Sequence, residues 1–369
     1  MMDSDELPGT NRHLIKVLVV DDSPTTREFL GYLFASDQEI EVIATATNGE
    51  EALEAVKNKR PDVVTMDIHM PKMNGYEATR AIMESCPVPI IIVTGSSLPG
   101  EAESPFSALE AGAVAVVKRP PGIEHPDHAA AARALIQTVK LMSEVKVVKR
   151  WAPRKIPGPV ISAAAKPELA LSRTKIQLVA IGSSTGGPLV LQQIFSSLPK
   201  NFSVPIIVVQ HITDGFVEGF ADWLMETSLF PVSVAVNGEM LLPGHAYIAP
   251  NGSHATVNGL GRIILKKGAP ENGHFPSVSC LFRSVAAAYG HDAVGVLLTG
   301  MGKDGAAELG LMKNKGAITL VQDKASSIVH GMPGEAIALG AATYVLSPEK
   351  IAAALVEMTR ESQEERSSK

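Results

Sequence analysis

Ile15-Lys16-Val17-Leu18-Val19-Val20-Asp21-Asp22-Ser23-Pro24 decides how the first half of the chain is read. A short apolar run ends in two acids, and a serine–proline pair follows at once. Ser23 is a good helix N-cap and Pro24 suits the first helical turn. A strand therefore passes directly into a helix, which the apolar spacing carries over Thr25–Ala35. The same alternation continues, with strands at Glu41–Ala46, Val63–Met66, Ile90–Thr94 and Ala113–Val117. Helices are predicted at Glu50–Asn58, Tyr76–Glu84, about 101–111 and His128–Met142. Continuous apolar strands separated by helices predict a parallel sheet covered on both faces.

Beyond this region the composition changes. Residues 143–175 include Trp151-Ala152-Pro153-Arg154-Lys155-Ile156-Pro157-Gly158-Pro159 and Ala163-Ala164-Ala165-Lys166-Pro167. Proline, small residues and basic charge without a sustained period read as a linker. From Ile176 the alternation resumes, with strands at Leu178–Ile181, Pro205–Gln210, Val232–Ala235, Ala293–Leu298, Ala317–Val321 and Thr343–Leu346. A β-hairpin insertion is expected between Gly244 and Leu265, pairing Tyr247-Ile248-Ala249 with Arg262-Ile263-Ile264-Leu265. The last helix is placed at Pro348–Met358, and residues 361–369 form a charged tail expected to be disordered. The fold class is thus α/β: two doubly wound parallel-sheet domains, at 13–142 and 176–360.

The bulk numbers agree with two soluble domains. The chain has 369 residues, enough for two cores of ordinary size. Its 33 Lys and Arg against 39 Asp and Glu give a net charge of −6, which speaks against a nucleic-acid partner. The two cysteines, Cys86 and Cys280, fall in different halves, so they read as small core residues of a protein from a reducing compartment. Met1-Met2-Asp3-Ser4-Asp5-Glu6 has no apolar core of a signal peptide. No apolar run approaches the roughly 20 residues that span a bilayer. A cytoplasmic protein without membrane insertion is expected.

Two constellations carry chemistry. Asp21 and Asp22 close the first strand and Asp67 the third. In an open parallel sheet the carboxyl ends of the strands face one crevice. Three carboxylates gathered there call for a hard divalent cation, and carboxylate and water ligation suits Mg²⁺. Thr94 ends the fourth strand and Lys118 follows the fifth. A hydroxyl and an ammonium at that rim suit a phosphoryl group on Asp67. Taken singly, these residues are ordinary strand-end caps and surface groups; their common placement gives them weight.

The second constellation is Ile181-Gly182-Ser183-Ser184-Thr185-Gly186-Gly187-Pro188, between a strand and a helix. It lacks the Gly-Lys-[Ser/Thr] of a P-loop and the glycine spacing of a dinucleotide fingerprint. As Gly182-x-Ser184-x-Gly186 it fits a tight strand-to-helix turn that presents a serine, although a plain glycine-rich turn has about equal weight. A serine nucleophile needs a base and the base an orienting acid. His211 follows one buried-type strand, and Asp304 lies in the loop after another. Spacing alone leaves Ser183, His245, His254, His274, His291 and His330 as competitors.

Both constellations match known families. Asp21-Asp22-Ser23-Pro24, Asp67-Ile68-His69-Met70-Pro71-Lys72-Met73-Asn74-Gly75, Thr94 and Lys118 resemble the response-regulator receiver domain. The resemblance implies that Asp67 is the phosphoacceptor, with Mg²⁺ on Asp21 or Asp22, Asp67 and the backbone carbonyl of His69. The chain departs from the receiver pattern at Ala115, where an aromatic switch residue is usual, and at Lys118-Arg119-Pro120, where Lys-Pro is usual. Ile181–Pro188, Val209-Gln210-His211, Pro243–Pro250, Leu298-Thr299-Gly300-Met301-Gly302-Lys303-Asp304-Gly305 and Gly331-Met332-Pro333 resemble the chemotaxis methylesterase family, CheB.

That resemblance implies Ser184 as nucleophile, His211 as general base and then acid, and Asp304 as its orienter. The oxyanion donors map to the amides near Thr185 and Met301. The implied substrates are glutamyl methyl esters, and certain glutamines, on methyl-accepting chemoreceptors, with a chemotaxis histidine kinase as phosphodonor. No cofactor is implied for the esterase step. Phe275 stands where an arginine is expected. A reading from another class is a phosphorylation-switched receptor-binding module, or phosphate sink, with little esterase activity.

Overall fold

A computed structural model describes residues 14–95, 106–145, 147 and 176–367. The chain divides into two compact units. Residues 101–105 of the helix expected at about 101–111, and nearly all of the linker at 143–175, lie outside the described residues.

In the first unit the strands are β1 (Ile15–Val20), β2 (Ile40–Ala46), β3 (Val63–Met66), β4 (Ile90–Thr94) and β5 (Ala115–Lys118). The helices are α1 (Pro24–Ala35), α2 (Gly49–Lys59), α3 (Gly75–Ser85), α4 (Ser107–Ala111) and α5 (His128–Ser143). The sheet is parallel with order β2-β1-β3-β4-β5. Val17–Val20, Val63, Val64, Met66 and Ile90–Val93 are buried, as expected for strands covered on both faces. Ser23 caps α1 by accepting from the Thr26 N–H, with Pro24 in the first turn. Strand β5 begins two residues later than its apolar run suggests. The amides of Gly112 and Ala113, just past α4, still bond Ala108 O in its first turn, so the chain has not yet entered the sheet there.

The second unit holds β6 (Leu178–Ser183), β7 (Ile206–Gln210), β8 (Val232–Val234), β9 (Ala246–Ile248), β10 (His254–Val257), β11 (Ile263–Lys266), β12 (Ala293–Leu297), β13 (Ile318–Gln322) and β14 (Tyr344–Leu346). Its helices are α6 (Gly187–Ser197), α7 (Val217–Ser228), α8 (Val278–Ala288), α9 (Ala306–Asn314), α10 (Gly331–Ala338) and α11 (Pro348–Ser367). A parallel sheet runs in the order β14-β13-β12-β6-β7-β9-β8.

Three expectations need correction here. Tyr247-Ile248-Ala249 is not half of a hairpin: β9 joins the main sheet between β7 and β8, because its apolar side chains are buried there. The hairpin partner of β11 is β10, antiparallel, with His254 opposite Lys266. The charged tail is helical through Ser367. Good helix formers and no Gly or Pro after Pro348 give the helix no stop signal. Finally, both cysteines are free and only half-buried, and Cys280 Sγ donates to Glu271 Oε2 at 2.8 Å.

Candidate functional site

Both large sheets reverse their strand order beside their first strand, β1 or β6, and a cluster of polar residues lies at each of these two points. Open α/β sheets bind ligands at such points. In the first unit the reversal is between β1 and β3, where Val20 pairs with Met66. Asp21 and Asp67 are the next residues on, joined through the Asp67 N–H to Val20 O bond of 2.9 Å. One ligand atom from each of Asp21, Asp22 and Asp67 falls within 4.8 Å of the others. Asp21 is 2% exposed; its Oδ1 accepts from the Ser23 N–H at 2.9 Å, while Oδ2 is buried with no hydrogen-bond partner. Burial, and then the charge of Asp21, raise the Asp67 carboxyl to about 6. An orphaned carboxylate oxygen beside two further carboxylates is a donor set that fits a divalent cation. Gly75 lets the β3–α3 loop close: a Cβ there would meet Asp67 O at 2.2 Å. At the other rim Thr94 and Lys118 are register partners. Ala115 opens β5 and is half-buried, and His69 is exposed beyond β3.

In the second unit the reversal is between β12 and β6, where Leu297 pairs with Gly182. Ser184 follows β6, and its N–H bonds Thr299 O at 3.0 Å. Gly186 is left-handed, with φ 80°, and the Gly187 N–H closes the turn on Ser184 O at 2.8 Å. Gly187 also admits a close neighbour, since a Cβ would lie 2.3 Å from Gln210 Oε1. Gln210, at the end of β7, binds both sides of the turn. Its Nε2 donates to Ser184 O at 2.8 Å and to His211 O at 2.9 Å, and its Oε1 accepts from Ser183 Oγ at 2.6 Å. Ser183 is thereby fully buried and committed.

His211 Nε2 bonds Asp304 Oδ2 at 2.9 Å, while Nδ1 is buried with no hydrogen-bond partner. If Nε2 carries the proton to the carboxylate, Nδ1 holds the free lone pair. The ring of His274 stacks on that of His211, with centroids 3.6 Å apart and planes at 7°. Burial, and then the neighbouring His211, push His274 down to about 4. Asp304 also accepts from Val278 N–H at 2.7 Å, Ser277 Oγ at 2.8 Å, Asn272 Nδ2 at 3.0 Å and Ser279 N–H at 3.1 Å. Two of these donors are amides in the first turn of α8, whose positive dipole end favours an anion. Burial alone would raise Asp304, but the bonds from His211 and Asn272 hold it well below the usual carboxylate range. Among the described residues no hydrogen bond engages the amide of Thr185 or Met301. Thr299 Oγ1 donates to Thr185 O at 3.0 Å and accepts from the Val329 N–H at 2.9 Å, tying the loops that carry those amides.

The other candidate histidines have other engagements. His245 bonds Ser233 Oγ at 2.8 Å, and His254 bonds Ala269 O at 3.0 Å and the Ser277 N–H at 3.2 Å. His291 is exposed beside Asp292, and His330 contacts Ser327 Oγ at 3.4 Å. Phe275 packs its ring edge against His254. Asn272, Ser277 and Ser279 have no site role in the sequence pattern, and Gln210 stands there only inside the Val209-Gln210-His211 stretch. A serine before an apolar helical run, as at Pro276-Ser277-Val278, was the one available signal, and it indicates only an N-cap.

Comparison with known proteins follows the same division. The response regulator receiver domain family matches residues 17–130, and the CheB methylesterase family matches residues 179–355. A protein-glutamate methylesterase/protein-glutamine glutaminase of Nitrosospira multiformis is 58% identical over 94% of this chain and 98% of its own length. Another, from Syntrophus aciditrophicus, is 56% identical over 94% and 98%. The catalytic domain of Thermotoga maritima CheB methylesterase is 40% identical, covers 50% of this chain and 100% of its own, and has a TM-score of 0.48. No described helix is long and apolar enough to cross a membrane. With near full-length relatives at such identity, the chain belongs to the CheB family of protein-glutamate methylesterases, in which a receiver domain precedes the esterase domain.

Proposed function

We propose that the protein is a cytoplasmic, phosphorylation-activated methylesterase that hydrolyses glutamyl methyl esters, and deamidates certain glutamines, on methyl-accepting chemoreceptors. The observation that carries this reading is the state of His211: one ring nitrogen is bonded to a deeply buried carboxylate and the other is buried without a partner. Such an imidazole is a base with its tautomer fixed.

Ser184 Oγ attacks the ester carbonyl, and its proton passes to His211 Nδ1. The amides of Thr185 and Met301 receive the negative charge of the tetrahedral oxygen; each such donor contributes about 3 kcal/mol to lowering the barrier. Collapse breaks the C–O bond of the methyl ester, and His211 returns the proton to the departing methoxide as methanol. Water then attacks the acyl-serine with His211 as base, releasing glutamate and free Ser184. With a glutamine the leaving group is ammonia. Asp304 stays ionised throughout and holds the imidazole.

In the receiver, Asp67 is the nucleophile toward phosphorus, with a chemotaxis histidine kinase as donor. Asp21, Asp22, Asp67 and the carbonyl of His69 would hold Mg²⁺, which supplies charge neutralisation for the phosphoryl group. Thr94 and Lys118 bind phosphoryl oxygens once Asp67 is modified.

The test is methanol release from methyl-labelled receptor membranes, with and without a small phosphodonor and Mg²⁺. Release that rises with phosphodonor, vanishes in Ser184→Ala and loses only its stimulation in Asp67→Asn supports both halves. No release from the cognate receptor removes the esterase assignment.

A further inference from the structure

Where receivers carry Lys-Pro, this chain has Lys118-Arg119-Pro120, and the inserted arginine has a defined position. The Arg119 N–H bonds Thr94 O at 2.9 Å, carrying the β4–β5 ladder one residue past Lys118. Its guanidinium turns toward β1. Nη1 donates to Thr26 Oγ1 at 2.9 Å and lies 3.8 Å from Asp21 Oδ2. That oxygen is the buried one without a hydrogen bond. Gly95 makes room for this position: a Cβ there would lie 2.4 Å from Nη2 and 2.9 Å from Cζ.

We infer that Arg119, seated over Gly95, is a built-in counter-cation of the acidic pocket that competes with the divalent cation for Asp21 and so weakens its binding. The inference rests on the reading of Asp21, Asp22 and Asp67 as the Mg²⁺ site. Three carboxylates within a few ångströms repel one another, and a fixed positive charge relieves part of that repulsion when no metal is bound. A dication arriving at Asp21 Oδ2 meets a guanidinium already near the same oxygen. Like charges at that range repel appreciably even with protein-surface screening. The arginine must therefore be displaced or its repulsion tolerated, and either lowers the affinity. Arg119 is 36% exposed, so the penalty is moderate and sensitive to salt.

The experiment is calorimetric titration of MgCl₂ into the full-length protein. Arg119→Gln is expected to bind Mg²⁺ roughly three- to thirtyfold more tightly than wild type at low ionic strength. The gap should narrow as ionic strength is raised from about 0.02 M to about 0.5 M. Gly95→Ala keeps the charge in the chain but denies the guanidinium its position, so it should shift affinity in the same direction. Arg119→Lys, which keeps the charge without the planar fork, should fall between wild type and Arg119→Gln. Asp21→Asn should abolish the binding and so locates the signal. Equal or weaker Mg²⁺ binding in both Arg119→Gln and Gly95→Ala overturns the inference while the metal site stands. Wild-type binding that is absent, or indifferent to Asp21→Asn, overturns the metal site and the inference with it.

Discussion

Asp67 and Asp304 are both buried aspartates beyond the carboxyl ends of strands, 9% and 1% exposed, and both lie where a parallel sheet reverses its strand order. Their acidities nevertheless diverge. Asp67 is raised to about 6 by burial and by the charge of Asp21, whereas Asp304 is held well below the usual range against the same burial. The difference lies in the donors. Asp304 accepts from His211, Asn272, Ser277 and two amides of α8, so its lone pairs are occupied. Asp67 faces other carboxylates in a pocket where Asp21 keeps an orphaned oxygen. Burial alone does not decide ionisation; the number of donors aimed at the carboxylate does. A fully bonded carboxylate can orient a neighbour but is a poor nucleophile, while one among uncompensated charges is primed for a cation and an electrophile.

The largest expected effect separates the two sites. Ser184→Ala should lower ester hydrolysis by about 10⁴–10⁶-fold, with phosphorylation of Asp67 by a small phosphodonor unchanged. Radiolabel incorporation alongside methanol release checks both in one preparation. A variant that loses both would mean that the sites do not work as separate chemical centres.

Asp304→Asn should lower kcat by about 10³–10⁴-fold, because an amide does not enforce the same tautomer on His211. It should also change how stability depends on acid. A carboxyl depressed in the fold contributes stability that is present above its unfolded value, about 4, and is lost as pH falls through the folded value. Wild type should therefore exceed Asp304→Asn by on the order of 2–4 kcal/mol at neutral pH, and the gap should close in strong acid. Urea denaturation at several pH values measures it. A constant gap would mean that the donors do not discriminate between carboxylate and amide. Ser277→Ala removes one donor of the set and the N-cap of α8 together. The expected cost is about tenfold in kcat and about 1–2 kcal/mol in stability.

How much of this was legible in the sequence depended on whether the information was local. The runs Val17–Val20 and Ile206–Gln210 are buried on both faces, so apolar composition alone marked them as central strands. Ser184, His211 and Asp304 each follow such a strand, and strand ends converge in a parallel sheet. The place of Tyr247 in the main sheet was not legible, because its turn residues and the later apolar run suit a hairpin equally well. Strand β10 was missed because His254 and Thr256 break the apolar pattern, although both are buried. The donors to Asp304 arrive from residues 272–279, far from it in sequence, and nothing local marks an asparagine or serine as aimed at a distant carboxylate.

The smallest expected effect concerns His274, which spacing offered only as a rival to His211. It lies instead flat against that ring, and at about 4 its acidity keeps it neutral at working pH. A neutral ring shields His211 from water and limits its rotation, yet does not oppose the positive charge that His211 takes on during attack; a cation there would. His274→Phe keeps a flat neutral ring and should stay within a few-fold of wild type, while His274→Ala should lose about three- to tenfold in kcat. The sign of the stability effect follows from the depressed acidity. In the unfolded chain this histidine takes up a proton near 6.5, whereas the folded one resists until about 4. Its contribution is therefore intact above about 6.5 and declines by about 1–3 kcal/mol as pH falls to about 4. His274→Phe has nothing to titrate and should lose less stability than wild type across that interval, measured by urea denaturation. Below it the two curves should run parallel, because the remaining acid sensitivity belongs to carboxylates that both proteins share, Asp304 among them. If His274→Phe and wild type lose stability equally between those pH values, the imidazole is protonated in the fold, and the neutral stacked pair is not the resting state of this site.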